Sequence, residues 1–195
     1  MFSAAFPTGA DPQALTALYL ALTLAWCTRA WWRRRTRRPA APLSPEERHK
    51  RHVASSRRTV RAAAKAADTL ASLRAVHPHE FEEVVLTALR ARGHRIRRNE
   101  RYTGDGGVDG QVWIRGRRFL IQAKRYAGGI RAAHIEEFAR VCRRARARGL
   151  FVSTGRMGPT GEAADIAAKR VVVVHGEALE RLVSGRRVKV GGVRL

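Results

Sequence analysis

Downstream of residue 78 the spacing of apolar residues changes period several times, and each change marks an element. Phe81, Val85, Leu86 and Leu89 recur at helical steps, which predicts a helix over 79–92 that stops at Gly93. Short apolar runs then predict strands at about 94–98, 108–114 and 118–124, the last two joined through the turn Arg115-Gly116-Arg117. Helix 131–147, strand 149–153, helix 160–169, strand 170–174 and helix 176–184 follow in the same reading. This order predicts an α/β fold, a mixed β-sheet flanked by helices.

Upstream the pattern is different. Residues 13–28 carry no charge, and Arg29 is followed by Ala30-Trp31-Trp32 before Arg33-Arg34-Arg35. Counted over 13–32 this is long enough for a helix of ~30 Å, the thickness of a bilayer core. Trp26, Trp31 and Trp32 fall where an interfacial aromatic belt would lie. The expectation is a single N-terminal transmembrane helix in an inner or plasma membrane, with residues 33–195 on the cytoplasmic side, because the basic run follows the apolar one. Thr16, Tyr19 and Thr23 make the span marginal, so a helix packed on the domain or lying in the interface stays open as the competing reading. A cleaved signal peptide is disfavoured by the missing positive segment before the apolar run.

Pro39 to Pro45 reads as an extended linker. Ser44-Pro45-Glu46-Glu47 then carries the capping-box signature of a helix running to about Ala75. Its Arg48, Lys50, Arg51, Arg57, Arg58, Arg61 and Lys65 suit a DNA-backbone or lipid-headgroup contact, or equally a solvated spacer. The expected organisation is a membrane anchor over 1–32, a basic linker and helix over 33–75, and a catalytic domain over 76–195.

Charge adds the partner. Thirty-nine basic against sixteen acidic residues leave a net +23, which calls for a polyanion, either nucleic acid or an anionic membrane surface. Cys27 and Cys142 are the two cysteines and are far apart, so neither a disulfide framework nor a zinc site is expected, and a reducing compartment is the natural assignment. The seven histidines are read as scattered, with no His-x-His or His-x-x-x-His pairing, which argues against a histidine-metal site.

The chemistry concentrates in the hairpin. Side chains on a strand alternate faces, so Gln122 and Lys124 point one way while Ile121 and Ala123 enter a core. The hairpin turn brings Asp109, at the end of the loop Gly104-Asp105-Gly106-Gly107-Val108, level with both. A carboxylate and an amide oxygen suit Mg²⁺ or Mn²⁺, and a nearby ammonium can orient water or offset charge on a phosphate. Lysine is scarce here, at positions 50, 65, 124, 169 and 189 among 39 basic residues, so Lys124 reads as chosen for its compact amine. The bland alternative makes Gly104–Gly110 an ordinary turn and Lys124 an edge-strand charge that deters aggregation.

These residues, with Phe81-Glu82, Gln122-Ala123-Lys124-Arg125-Tyr126, Gly149-Leu150-Phe151-Val152-Ser153-Thr154 and His175-Gly176-Glu177-Ala178-Leu179, resemble the Mrr-like restriction endonuclease domain. That domain is a branch of the PD-(D/E)xK nuclease superfamily, and the resemblance covers roughly residues 76–185. It implies a restriction-endonuclease-like core and a Mg²⁺-dependent DNA endonuclease with Glu82, Asp109, Gln122 and Lys124 as catalytic residues. Within that set it implies Asp109, Gln122 and Glu82 as metal ligands, helped by the Ala123 carbonyl. Gln122 stands where the wider superfamily has an acid, as is usual for this branch, and so removes a negative charge.

Other polar residues are read more plainly. Asp105 is a turn former, Glu80 and Glu83 are solvated, His175 is a loop residue and His134 lies on the surface. Arg125, Arg131, Arg143, Arg144, Arg146 and Arg148 are expected phosphate contacts near the site. A double-strand break needs two sites, which makes a homodimer the expected assembly. The rival readings are a membrane-tethered DNA-binding protein with the same fold and no activity, against which the intact four-residue set weighs, and a basic peripheral membrane protein, which leaves the hairpin unexplained.

Overall fold

In the computed structural model, residues 21–29, 31–32, 43–99, 107–159 and 170–195 are described. The chain divides into two units, Met1–Pro42 and Leu43–Leu195. In the first, residues 21–29, 31 and 32 are helical, and Leu22, Leu24, Trp26, Trp31 and Trp32 are exposed. No helix among the described residues is long and apolar enough to cross a membrane. Residues 13–20 and 30 of the expected span lie outside them, as do the expected helix 160–169 and Asp105.

The second unit opens with α1, Pro45–Lys65, and its cap is the one the sequence announces. Ser44 Oγ accepts from the Glu47 backbone N–H at 3.2 Å, and the Glu47 carboxylate accepts from the Ser44 N–H at 2.8 Å. The expected single helix to Ala75 is broken, because Asp68 caps a second one: its carboxylate accepts from the Ala71 N–H at 2.8 Å and starts α2, Thr69–Ala75. Neither helix is a solvated spacer. Ser56, Ala63 and Leu73 are buried, Val60, Ala64 and Leu70 pack against the core, and Ser56 Oγ lies 2.8 Å from Thr87 Oγ1 of the next helix. The compact unit therefore begins at Leu43, well before residue 76.

That next helix, α3, spans Pro78–Ala91, with Pro at its start and Gly93 just past its end at φ +86°. Phe81 and every residue from Glu83 to Leu89 are buried, since α3 is enclosed by α1 and the sheet. The sheet comprises β1 Arg95–Arg98, β2 Gly110–Ile114, β3 Arg117–Lys124, β4 Arg148–Ser153 and β5 Val171–Val174, in that spatial order. β1, β2 and β3 pair antiparallel, and β3, β4 and β5 pair parallel. Arg115 and Gly116, both at positive φ, close the β2–β3 hairpin, and Gly110 is level with Ile121. Helix α4, Ala132–Arg144, crosses between β3 and β4, and α5, Gly176–Val183, follows β5. A short hairpin of β6, Lys189–Val190, and β7, Val193–Arg194, ends the unit.

Two apolar layers sandwich the sheet. Ile121, Ala123, Leu150 and Val152 meet α3 and α5 on one side, and Leu120, Phe151 and Val173 meet Ile135, Phe138 and Cys142 of α4 on the other. Strands covered on both faces are continuous apolar runs, as Val171–Val174 shows.

Candidate active site

Lys124 ends β3 and Asp109 immediately precedes β2, so the antiparallel register sets the two at the same edge of the sheet. The Asp109 N–H donates to the Ile121 carbonyl at 2.8 Å, and its carboxylate accepts from the Ala123 N–H at 2.6 Å. Both ends of Asp109 are thus tied to the strand that carries Gln122 and Lys124. From the other side α3 supplies Glu82, whose carboxylate oxygens lie 3.2 Å from His79 Nδ1.

Electrostatics join these groups. Burial, then the charge of Glu82, pushes Asp109 up to about 7 against the opposing Ala123 N–H, Lys124 and His79. Burial, then Glu83, pushes Glu82 up to about 7 against Lys124. Two desolvated acids thus share one nearby ammonium, and burial holds both close to half-protonated at neutral pH. Carboxyls held this far from their ordinary range mark functional sites more often than chance.

Gln122 is buried, and its amide N–H donates to the Gly107 carbonyl at 2.8 Å. Gly107 sits at φ +78°, and a Cβ there would lie 2.5 Å from Gln122 Nε2, so only glycine fits. The amide nitrogen orders the glycine loop and leaves the amide oxygen as the atom with ligand chemistry.

No group of three or more His, Cys, Asp and Glu among the described residues is arranged to hold a metal. The donor set nevertheless fits a hard divalent cation. Glu82 and Asp109 offer carboxylate oxygens, and their raised proton affinity is what a cation would relieve.

A family model for the Mrr catalytic domain, described as restriction endonuclease, matches residues 73–183. The chain belongs to this restriction endonuclease family. Among solved structures it is similar to restriction endonuclease FokI, with a TM-score of 0.47 and 15% identity over 77% of this chain. It spans 33% of that protein's length. No curated protein matches.

Within the Mrr-type unit the structure corrects several expectations. Glu83 is not solvated: it is 2% exposed and pairs with Arg98 Nε at 2.7 Å. Glu80 accepts from Ser55 Oγ at 3.0 Å and Thr59 Oγ1 at 2.6 Å, which staples α1 to α3. His134 is half-buried, bonded to the Tyr126 hydroxyl and stacked on its ring at 5.8 Å between centroids. His77 and His79 form a His-x-His pair whose rings gather with that of His52, at 5.1 and 6.5 Å.

The arginines divide. Phe119 pairs with Arg148 and Lys124 with Ser153, so Arg148 lies five residues, ~16 Å, down the sheet from Lys124. Arg143, Arg144 and Arg146 are at that far end too, where Arg118 donates to the Ala145 carbonyl at 2.7 Å. The Arg148 guanidinium lies over the Phe119 ring at 5.1 Å. Arg125 and Arg131 remain at the site end.

Thr154, fully buried, was not singled out by the sequence. Its hydroxyl accepts from the Tyr126 N–H at 3.0 Å and donates to the Tyr126 carbonyl at 2.9 Å, continuing the β3–β4 pairing past Lys124. Arg74 of α2 binds the Thr154 carbonyl through Nε and Nη2 at 3.2 and 2.8 Å, and Arg125 donates to the Arg74 carbonyl. A threonine after an apolar run is common, so only the pairing partner reveals its work.

Proposed function

We propose that the chain is a metal-dependent DNA endonuclease, tethered to a membrane through residues 13–32 with its nuclease unit on the cytoplasmic side. The observation that carries the catalytic part is the pair of desolvated carboxyls, Glu82 and Asp109, beside Lys124 at the end of β3 in a chain of this family. The exposed Leu22, Leu24, Trp26, Trp31 and Trp32 on a helical segment support the tether.

Asp109 and Glu82, with the Gln122 amide oxygen and the Ala123 carbonyl, are the groups that would hold Mg²⁺ or Mn²⁺. Such an ion supplies Lewis acidity toward a phosphate oxygen and a more acidic bound water. The rest falls to the protein. Asp109, fixed by Ala123 and Ile121, would set where the ion is held and, through it, where the phosphate sits. The Lys124 ammonium donates to the phosphate as negative charge grows on its oxygens, or orients the attacking water. That water forms the new P–O bond and gives up a proton to solvent, while the bond to the leaving sugar oxygen breaks and that oxygen takes a proton from solvent. Arg125 and Arg131 hold flanking phosphates without reading sequence. A homodimer would supply the second site for a double-strand break.

The test is cleavage of methylated and unmethylated plasmid by the 195-residue chain with Mg²⁺ or Mn²⁺, beside Asp109→Ala. Metal-dependent nicking or linearisation lost in the variant is the expected result. Salt-sensitive binding with no cutting under either metal would replace this reading with a tethered DNA-binding protein. Alkaline extraction of membranes tests the tether independently: retention in the pellet is expected, and full release would remove it.

A further inference from the structure

A cavity of ≈ 410 Å³ lies between α5 and the β6–β7 hairpin, and none of its lining residues belongs to the carboxylate site. Arg181, Arg187, Lys189 and Arg194 line it, with Glu177 as its one acid. Glu177 is already committed, since its carboxylate takes Arg181 Nε at 2.9 Å and Nη2 at 2.8 Å. The other three cations pair with no carboxylate among the described residues.

Their placement is unfavourable as it stands. Lys189 and Arg194 are register partners across the hairpin, and like charges directly opposite each other destabilise a strand pair. Arg187 precedes Lys189 by two residues, adding a third charge on the same wall. Strands of two residues have little pairing strength of their own to offset this. The hairpin is held from its apolar side instead: Val188, Val193 and Leu195 are buried in the main core, and the Leu195 N–H donates to the Val188 carbonyl at 3.0 Å. The fold therefore gathers three exposed, mutually repelling cations on the rim of a half-open cleft.

We infer that this cavity is a second anion site, one that takes phosphate groups. Arginine forks match phosphate oxygens in pairs, and three uncompensated cations favour a multiply charged ligand over a carboxylate. A water occupies ~30 Å³ of liquid, so the space admits more than one phosphate group. The hairpin lies beyond residues 73–183, outside the family's matched segment, and the site goes beyond the nuclease reading. Its phosphates come either from a polynucleotide backbone passing along this face or from a free polyphosphate.

Because the whole chain is basic, the test compares two triple variants of the full chain that remove equal charge. Arg187→Gln/Lys189→Gln/Arg194→Gln empties the cavity wall; Arg90→Gln/Arg115→Gln/Arg117→Gln removes three exposed arginines elsewhere. Calorimetric titration with tripolyphosphate at low salt is expected to weaken at least tenfold in the first and by less than twofold in the second. For duplex DNA, anisotropy against salt distinguishes the source. The slope of log K against log salt falls by ~0.9 for each lost phosphate contact if backbone occupies the cavity, and matches the control if the ligand is a free polyphosphate. Equal responses of the two variants to both probes would overturn the site. Thermal melting guards against misfolding, since removing repelling charges should leave the first variant as stable as the parent or more so. Both probes read binding and not cleavage, so a chain that cuts nothing would leave this outcome untouched.

Discussion

Replacing Asp109 with asparagine should stabilise the fold, and the gain should grow with pH. Asp109 titrates at about 7 in the folded chain against its ordinary 3.8. A carboxyl whose folded value is raised contributes its full stability below the unfolded value, loses it as pH rises, and has lost it all above the folded value. The window here is pH 4 to 7. At ~1.4 kcal/mol per pH unit of separation the ceiling is ~4 kcal/mol. Asp109 keeps an edge in solvent, and an asparagine NH₂ needs its own partner, so we take half of this, ~2 kcal/mol. Asparagine retains the acceptor for the Ala123 N–H, which limits structural damage. For a chain of this length that is ~4–8 °C in Tm at pH 8, shrinking toward pH 4. Melting curves of parent and Asp109→Asn at pH 4.5 and pH 8 are the assay. An advantage that is equal at both pH values, or larger at the lower one, would refute the claim that Asp109 is a desolvated acid. Adding Mg²⁺ at pH 8 should reverse the order, because a ligand at 100 times its Kd adds ~2.7 kcal/mol to the parent alone.

Lys124→Ala should lower the cleavage rate ~10²–10³-fold while Mg²⁺ still raises Tm, measured by plasmid nicking and melting on one preparation. Thr154→Val leaves the Tyr126 N–H and carbonyl without their buried partner, so Tm should fall with ~2–3 kcal/mol of stability and the cleavage rate with it; Thr154→Ser should restore both. Glu83→Gln leaves the half-buried Arg98 without its carboxylate, with Thr87 as its remaining partner, and should destabilise the unit by ~1–3 kcal/mol, read by urea melting, with the metal-induced shift in Tm preserved.

The sequence shows short-range structure well and long-range pairing poorly. The Ser44–Glu47 box and the Arg115-Gly116 turn are local signals, and both stand in the structure as read. Alternation over Ile121-Gln122-Ala123-Lys124 sends Ile121 and Ala123 into the core under α3 and α5 and Gln122 to the opposite face, because successive strand side chains point to opposite faces. The break at Asp68 was missed because Ala62 to Ala67 are strong helix formers, and an aspartate inside such a run is visible as a cap only once the chain turns. Glu83 read as solvated because its partner, Arg98, lies fifteen residues away on a different element. Arg143, Arg144, Arg146 and Arg148 were assigned to the site because parallel register is set by the crossover, which places the start of β4 opposite the start of β3. The β6–β7 hairpin, at two residues per strand, falls below any periodicity.

Gln122 explains how the site does with one acid fewer. A carboxylate at 122 has no N–H for the Gly107 carbonyl, which the glutamine now satisfies at 2.8 Å, and it would set two acceptors against each other beside a glycine that cannot retreat. It would also add a third negative charge near Asp109 and Glu82, both already pushed to about 7 by burial and by neighbouring carboxylates. In the proposed metal site, glutamine would give up metal affinity for an ordered loop and for a site that folds without the ion. Gln122→Glu should make that exchange visible. Without metal, the variant should be ~1–3 kcal/mol less stable than the parent at pH 8 and nearly equal to it at pH 4, where the new acid is largely protonated. With Mg²⁺ it should gain more in Tm than the parent does at the same concentration, since three carboxylates bind a hard cation more strongly than two. A variant as stable as the parent at pH 8 without metal would mean that the Gln122 to Gly107 bond does not hold the loop, and the account of this position would fail with it.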